Sequence, residues 1–267
     1  MKPLIIAFLG KGGSGKSILS ALSAKLFLQR GLRLLLIDAD PAMGLATALG
    51  AEDFKTIGEA RAEIIHQARI SRGEEKERLS EIIDFLLMEA LVETPDYSLL
   101  VMGSTNTVGC YCPVNNLLRE TITRIADQYD VVIIDAEAGI EQINREVTRS
   151  VHYPILLTDN SLRGAKTAIL AKQAIDRSPG MNPQRVGAIF NRVENADPSL
   201  QKLLEEASLE VYGTVPADPV VTARDARGES AMEMPDHSGA LVALENILRT
   251  FQILPDDKPR QPRHPAL

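Results

Sequence analysis

The stretch that decides the fold is 10-GKGGSGKS-17, which directly follows the apolar run 4-LIIAFLG-10. It satisfies the phosphate-loop pattern G-x-x-x-x-G-K-[ST], with Gly10, Gly15, Lys16 and Ser17 in the fixed places. In such a loop, backbone amides and the following helix N-terminus bind phosphate, the lysine reaches the β- and γ-phosphates, and the serine hydroxyl ligates Mg²⁺. The stretch therefore predicts a nucleotide-binding turn between a first strand and a first helix.

The same loop also fits a second motif, G-x-G-x-x-G, at Gly10, Gly12 and Gly15. Asp38 ends the next apolar run, at the distance where a dinucleotide-binding fold places its ribose-binding carboxylate. This alternative, a nicotinamide-dependent oxidoreductase, needs neither Lys16 nor Ser17. Those two residues, together with the strand-like 131-VVIIDA-136 and its terminal carboxylate, favour a nucleoside triphosphate with Mg²⁺.

Apolar runs and helical patterns alternate along the chain. The runs that predict buried strands are 4–10, 33–40, 98–104, 131–136, 154–159, 186–193 and 211–215. The patterns that predict helices cover about 16–30, 56–70, 75–93, 114–128, 139–150, 161–177, 199–208 and 238–251. The alternation predicts an α/β fold, a doubly wound, mostly parallel sheet with helices on both faces. We expect one ATPase domain over residues 1–254 and a proline-rich, disordered tail over 255–267.

The composition narrows the possible partners and the compartment. The formal net charge of −7 argues against a sequence-independent nucleic-acid binder, which needs a clustered basic surface. A strand-like segment follows Met1 almost at once, and no apolar run approaches the length of a membrane span. We therefore expect a cytoplasmic protein without a signal peptide, and neither nucleic acid nor a membrane as its partner.

The two cysteines of the chain, Cys110 and Cys112, lie in 107-TVGCYCPVN-115. Residues one apart rarely satisfy disulfide geometry, and two thiols supply only half of the four ligands that a soft metal ion prefers. A helix starting at about Val114 would lower their pKa and favour thiolates. The spacing alone favours the simpler interpretation, that the two cysteines are small buried apolar residues, because C-x-C is a short pattern.

These motifs together carry a family resemblance that covers most of the chain. KGGSGKS, with its additional Lys11, resembles the deviant Walker A motif of the MinD, ParA, arsenite-pump and nitrogenase iron-protein group of dimeric ATPases. The segment 38-DADP-41 is similar to the first switch of that group and 135-DAEAGIE-141 to the second, while 190-FNR-192 and 216-PAD-218 look like its adenine contacts. Within the group, GCYCPVN and DAEAGIE look most like the CooC-type accessory ATPase of carbon monoxide dehydrogenase, which is associated with nickel insertion.

The resemblance implies roles for individual residues. Lys11, Lys16 and Asp40 would be catalytic, with Lys11 acting on the ATP of the partner subunit and Asp40 orienting the attacking water. Asp38 would support Mg²⁺, although Asp38 and Asp40 could exchange roles. The implied nucleotide contacts are Gly10, Gly12, Gly13, Ser14, Gly15, Lys16, Ser17, Ile18, Asn191, Arg192, Pro216 and Asp218. The implied Mg²⁺ residues are Ser17, Asp38 and Asp135.

A symmetric dimer would complete the thiol set. Two copies of Cys110 and Cys112 near the two-fold axis would give four sulfur ligands, tetrahedral for Zn²⁺ and square-planar for Ni²⁺. The sequence thus predicts an ATP-hydrolysing metallochaperone that dimerises on nucleotide or metal and serves carbon monoxide dehydrogenase or a related enzyme. The main alternative is a MinD- or ParA-type positioning or partition ATPase. The prolines of 255–267 argue against a membrane-binding helix there, and two cysteines in one C-x-C argue against an iron-protein role.

Overall fold

A computed structural model describes residues 2–70, 76–103, 112–136, 151–178 and 181–256, without the side chains of 65–70, 76–80 and 112–117. The described strands form one sheet in the order β3-β4-β2-β5-β1-β6-β7-β8. Every neighbouring pair is parallel except β3 and β4. The predicted doubly wound, mostly parallel α/β fold is confirmed.

The bounds of the elements are as follows. The strands are β1 Leu4–Gly10, β2 Leu34–Asp38, β3 Val92–Glu93, β4 Tyr97–Val101, β5 Val131–Asp135, β6 Tyr153–Thr158, β7 Gly187–Asn191 and β8 Glu210–Val215. The described α-helices are α1 Lys16–Leu28, α2 Gly44–Leu49, α3 Ile57–Ile70, α4 Lys76–Ala90, α5 Cys112–Ala126, α6 Leu162–Arg177, α7 Pro198–Glu206, α8 Pro219–Asp225 and α9 Gly239–Thr250.

Two apolar layers cover the sheet because successive side chains of a strand point to opposite faces. In β1, Ala7 and Leu9 belong to the layer that packs against α3 to α7, whereas Ile6 and Phe8 belong to the layer that packs against α1, α2 and α9. A strand covered on both faces needs a continuous apolar run, which is the pattern that identified these strands.

The structure differs from the sequence predictions at short elements. β3 lies within 51–97, where we expected no strand, and the helix predicted for 75–93 ends at Ala90. Neither α2 nor α8 was predicted, because six or seven residues are too few for a clear helical period. The helix predicted at 139–150 and most of the predicted tail, from residue 257 onward, lie outside the described residues.

The topology gathers the motif residues at one edge. Parallel strands end at the same edge of their sheet, which is where open α/β folds bind ligands. The glycine loop follows β1, Asp38 and Asp135 end β2 and β5, and α5 begins at Cys112 in the connection after β4. This carboxyl edge therefore combines the predicted nucleotide residues with the start of the helix that bears one cysteine.

Candidate functional site

The glycine loop joins β1 to α1 through backbone conformations that favour glycine. Gly13 has φ of 75° and Gly15, the residue before the helix, has φ of 89°, both in the left-handed region. A β-carbon on Gly15 would lie 2.3 Å from the Asn191 side-chain nitrogen. The loop thus turns tightly onto α1, whose first amides lack intrahelical partners and favour an anion.

Lys16 begins α1 with its side chain almost fully buried beneath the loop. Its ammonium donates to the Lys11 carbonyl at 3.5 Å and lies 3.7 Å from an Asp40 carboxylate oxygen. The side chain is only 5% exposed, so its charge acts in a poorly hydrated environment. This arrangement places a cation under the loop that is predicted to hold phosphate.

Ser17 and Asp135 form the predicted Mg²⁺ side of the site. The Ser17 hydroxyl donates to Asp135 Oδ2 at 2.6 Å, while Asp135 Oδ1 is buried without a hydrogen-bond partner among the described residues. Burial raises the pKa of Asp135 to about 7, which the hydrogen bond from Ser17 only partly offsets. A buried carboxylate with an unused oxygen beside a hydroxyl fits a divalent cation, because Mg²⁺ takes few protein ligands and otherwise uses phosphate and water.

Asp38 lies beside Asp135 in the sheet, since the two are register partners on β2 and β5. Its oxygens accept from the backbone amides of Asp40 at 3.2 Å and Ala46 at 2.9 Å. Burial raises the pKa of Asp38 to about 6, and the amide hydrogen bonds oppose that rise. Asp38 therefore shapes the turn that carries Asp40, and both of its carboxylate oxygens are engaged by backbone amides.

Asp40 lies in that turn and faces Lys16. One carboxylate oxygen accepts from the Ala42 amide at 3.0 Å and the other is the one near the Lys16 ammonium. Three residues after Asp40, Met43 has a left-handed φ of 53°, and a β-carbon on Gly44 would lie 2.5 Å from the Ser17 hydroxyl. The turn thus packs closely against the phosphate loop, and its Gly44 contact was not foreseen.

A cavity of about 290 Å³ opens beside the phosphate loop, where the resemblance places adenine. It is lined by Gly15, Ile18, Leu19, Asn191, Arg192, Pro216, Ala217, Asp218, Val221, Thr222, Asp225 and Ala240. The Asn191 amide donates to the Ser14 carbonyl at 2.7 Å, and Arg192 donates to the Gly13 carbonyl at 3.3 Å. The cavity and the loop are therefore joined, and Thr222 and Asp225 are lining residues that the sequence motifs did not indicate.

Asp218 supports the wall of this cavity. Its carboxylate accepts from the Val220 amide at 2.8 Å, the Ser238 hydroxyl at 2.6 Å and the Ala240 amide at 3.1 Å. Burial alone would raise the pKa of Asp218, but these hydrogen bonds lower it below its usual value. Both oxygens are engaged, so Asp218 fixes the starts of α8 and α9 around the cavity.

The Lys11 side chain contacts two residues that the sequence motifs did not indicate. Its ammonium lies 2.6 Å from Asp159 Oδ2 and 3.5 Å from the Ser161 hydroxyl. The signal that could have found them is 158-TDNS-161, polar residues that end a strand and begin a helix at this edge.

The predicted soft-metal residues are placed only in part. Cys112 is the first residue of α5, two residues earlier than the predicted helix start, and Cys110 lies outside the described residues. In the described ranges, no three His, Cys, Asp or Glu side chains are grouped to hold a metal ion.

Three features define the class of this protein: the order of the sheet, the phosphate loop after β1, and the carboxylates that end β2 and β5. Together they identify a P-loop nucleotide-binding protein. Residues 5–231 match the family described as the CobQ/CobB/MinD/ParA nucleotide binding domain. The chain belongs to this family and is a nucleotide-binding ATPase.

Two similar proteins have names of different detail, one giving only ATP binding and the other an accessory role for an enzyme. An uncharacterised ATP-binding protein of Methanocaldococcus jannaschii is 34% identical over 91% of this chain and 96% of its own length. The carbon monoxide dehydrogenase accessory protein CooC of Rhodospirillum rubrum is 28% identical over 86% of this chain and 89% of its own.

A solved structure has the same fold at low sequence identity. The septum site-determining protein MinD of Pyrococcus horikoshii, in complex with Mg-ADP, has a TM-score of 0.67 and 19% identity, and covers 95% of this chain and 98% of that one. Across the ranges that the structure covers, no helix combines the length and apolar character needed to cross a bilayer.

Proposed function

We propose that this ATPase is a metallochaperone that dimerises around ATP and holds Ni²⁺ or Zn²⁺ between its subunits, for insertion into carbon monoxide dehydrogenase or a related enzyme. The observation that supports the proposal is the order of the elements: α5, which starts at Cys112, follows β4, and β4 is parallel to β2, β5 and β1, whose carboxyl ends carry the nucleotide residues. The similarity to CooC over 86% of the chain supports the same reading. A metal site at this edge can respond to the nucleotide.

The hydrolytic step follows from the site. A water oxygen attacks the γ-phosphorus, the bond from that phosphorus to the β–γ bridging oxygen breaks, and ADP and phosphate leave with the water protons. In this proposal Lys16 stabilises charge on the transferred group and Asp40 orients the water; the two side chains lie 3.7 Å apart. Ser17 and Asp135 would hold Mg²⁺, which neutralises the phosphate oxygens when bound.

Lys11 has a separate assignment. In the proposed dimer it reaches the ATP of the partner subunit and adds a second cation to the reaction, so an isolated chain hydrolyses ATP slowly. ATP then favours the closed dimer and hydrolysis releases it, which couples nucleotide to metal if the two states hold the metal differently.

The cargo is expected to depend on both cysteines. The wild-type protein should bind about one Ni²⁺ or Zn²⁺ per dimer in the presence of ATP, because two chains supply the four thiolates of a closed site. A Cys110→Ser/Cys112→Ser double variant should bind none, which metal analysis after gel filtration will measure. The variant should still hydrolyse ATP, since neither residue belongs to the phosphate site. Equal metal content in the wild-type protein and the double variant would refute the proposal that the protein is a metallochaperone.

A positioning or partition ATPase is the second candidate, and α6 is the observation that favours it. Leu162, Lys166 and Leu170 are spaced by four residues and share an exposed face, which also carries Arg163 and Arg177. Within the described part of the chain, none of the three cations on this face has an ion-pair partner. A protein with net charge −7 thus presents one basic, partly apolar helix that suits an acidic surface.

Sedimentation with anionic vesicles and with duplex DNA separates the two candidates. If the protein is a metallochaperone, it should bind neither the vesicles nor the DNA in an ATP-dependent way. The cysteine substitutions should then remove the bound metal and change nothing else. A positioning ATPase should show ATP-dependent binding that an Arg163→Ala/Lys166→Ala/Arg177→Ala variant weakens by about a hundredfold, because each of the three contacts with an anionic surface contributes about 1 kcal/mol. Lys172→Ala is the matched control, since that lysine is already paired with Asp176 on the same helix.

A further inference from the structure

The ion pair between Lys11 and Asp159 holds the lysine inside its own subunit. The ammonium and carboxylate oxygen are 2.6 Å apart, with side chains 27% and 39% exposed. The role proposed for Lys11 requires the same ammonium to reach a nucleotide in the other subunit. Lys11 cannot do both at once, so the intramolecular pair must break before the dimer can act.

The Asp159 carboxylate is held in place by hydrogen bonds besides its pair with Lys11. Its second carboxylate oxygen accepts from the Ser161 hydroxyl, and Ser161 caps α6 by accepting from the Gly164 amide at 3.0 Å. A β-carbon on Gly164 would lie 2.4 Å from that carboxylate oxygen, so glycine leaves room for it. Burial alone would raise the pKa of Asp159, but the hydrogen bonds from Lys11 and Ser161 lower it, so the carboxylate is charged at neutral pH.

The neighbouring Asn160 fastens this acceptor to the loop beside the base cavity. Its amide nitrogen donates to the Asn195 carbonyl at 2.9 Å, and its amide oxygen accepts from the Asp197 amide at 2.9 Å. The same loop follows Asn191, the last residue of β7, and Asn191 and Arg192 donate to the Ser14 and Gly13 carbonyls of the phosphate loop. Lys11 is therefore paired with a carboxylate that other hydrogen bonds hold in place, and not with a freely rotating surface side chain.

We propose that Asp159 is a positioning residue that retains Lys11 in cis and thereby sets the protein concentration at which ATP assembles the active dimer. The inference rests on the proposed function, in which Lys11 acts across the dimer. An ion pair as exposed as the one between Lys11 and Asp159 shifts the equilibrium between its paired and released states by about threefold. Two such pairs must break when a symmetric dimer forms. Together they raise the dissociation constant of the dimer by the square of that factor, roughly tenfold.

The test measures ATP hydrolysis per subunit as a function of protein concentration, using the full chain with Mg-ATP. Asp159→Asn keeps the size of the side chain and an oxygen for Ser161, but removes the charge that holds Lys11. Its half-maximal protein concentration should fall by about tenfold. The kcat at saturating protein should stay at the wild-type value, because Asp159 does not touch the reacting atoms.

Two further variants make the outcome specific. Asp176→Asn changes the net charge equally and also breaks a lysine pair on α6, yet that pair is remote from Lys11, so its half-maximal concentration should not move. An equal fall in both variants, or no fall in Asp159→Asn, overturns the inference. Lys11→Ala tests the foundation separately: wild-type hydrolysis by that variant would refute the cross-subunit role itself.

Discussion

Lys16→Ala is expected to lower kcat/KM for ATP hydrolysis on the order of 1,000-fold, the effect of removing one preorganised charge from a site of this kind. The Lys16 side chain is 5% exposed, and its ammonium lies 3.7 Å from an Asp40 carboxylate oxygen. Water cannot replace it there without opening the loop, so the developing negative charge loses a close partner. Steady-state phosphate release, measured at saturating and limiting ATP, checks the prediction.

A second lysine on α1 provides the control. Lys25 donates to the carbonyls of Met232 and Met234 and pairs with Asp236, away from the phosphate loop. Lys25→Ala should lower the free energy of unfolding but leave hydrolysis close to wild type at a temperature where the protein is folded. A similar loss of hydrolysis in the two variants would mean that Lys16 acts through stability, and would contradict its assignment.

Gly15→Ala is expected to weaken ATP binding by about a hundredfold or more, because a displacement of about 1 Å in a positioned group can cost that much. Two effects combine at this residue. Its φ of 89° is strained for alanine, and the new methyl group would lie 2.3 Å from the Asn191 amide nitrogen. Since Asn191 is held by the Ser14 carbonyl, relief of the clash moves the phosphate loop, the base cavity, or both. Isothermal titration with ATP measures the loss.

Gly31→Ala separates the two effects. Gly31 has φ of 74°, similar to that of Gly15, but a β-carbon there would meet no atom within 4 Å. It should lower stability through backbone strain, by about 1 kcal/mol, and leave ATP affinity unchanged. Equal ATP affinity in Gly15→Ala and wild type would show that the loop does not bind phosphate in the way proposed.

Much of the fold could be predicted because its signals are local. A strand buried on both faces requires a continuous apolar run, so β1, β2 and β5 are visible in the sequence, as is the glycine loop between β1 and α1. The two-residue β3 and the short α2 and α8 were missed, since they are stabilised by contacts with the rest of the chain rather than by a period of their own.

The sequence by itself determined the class of site, because the chemistry of phosphate and Mg²⁺ requires particular residue types at fixed spacing along one turn. Only the tertiary structure decided how residues distant in the chain share that site. It directs Asp38 toward backbone amides, uses Asp218 to hold helix starts, and pairs Lys11 with Asp159, which is 148 residues away. Such pairings follow from strand order and register, which bring separate strand ends to one edge, and no local pattern records them.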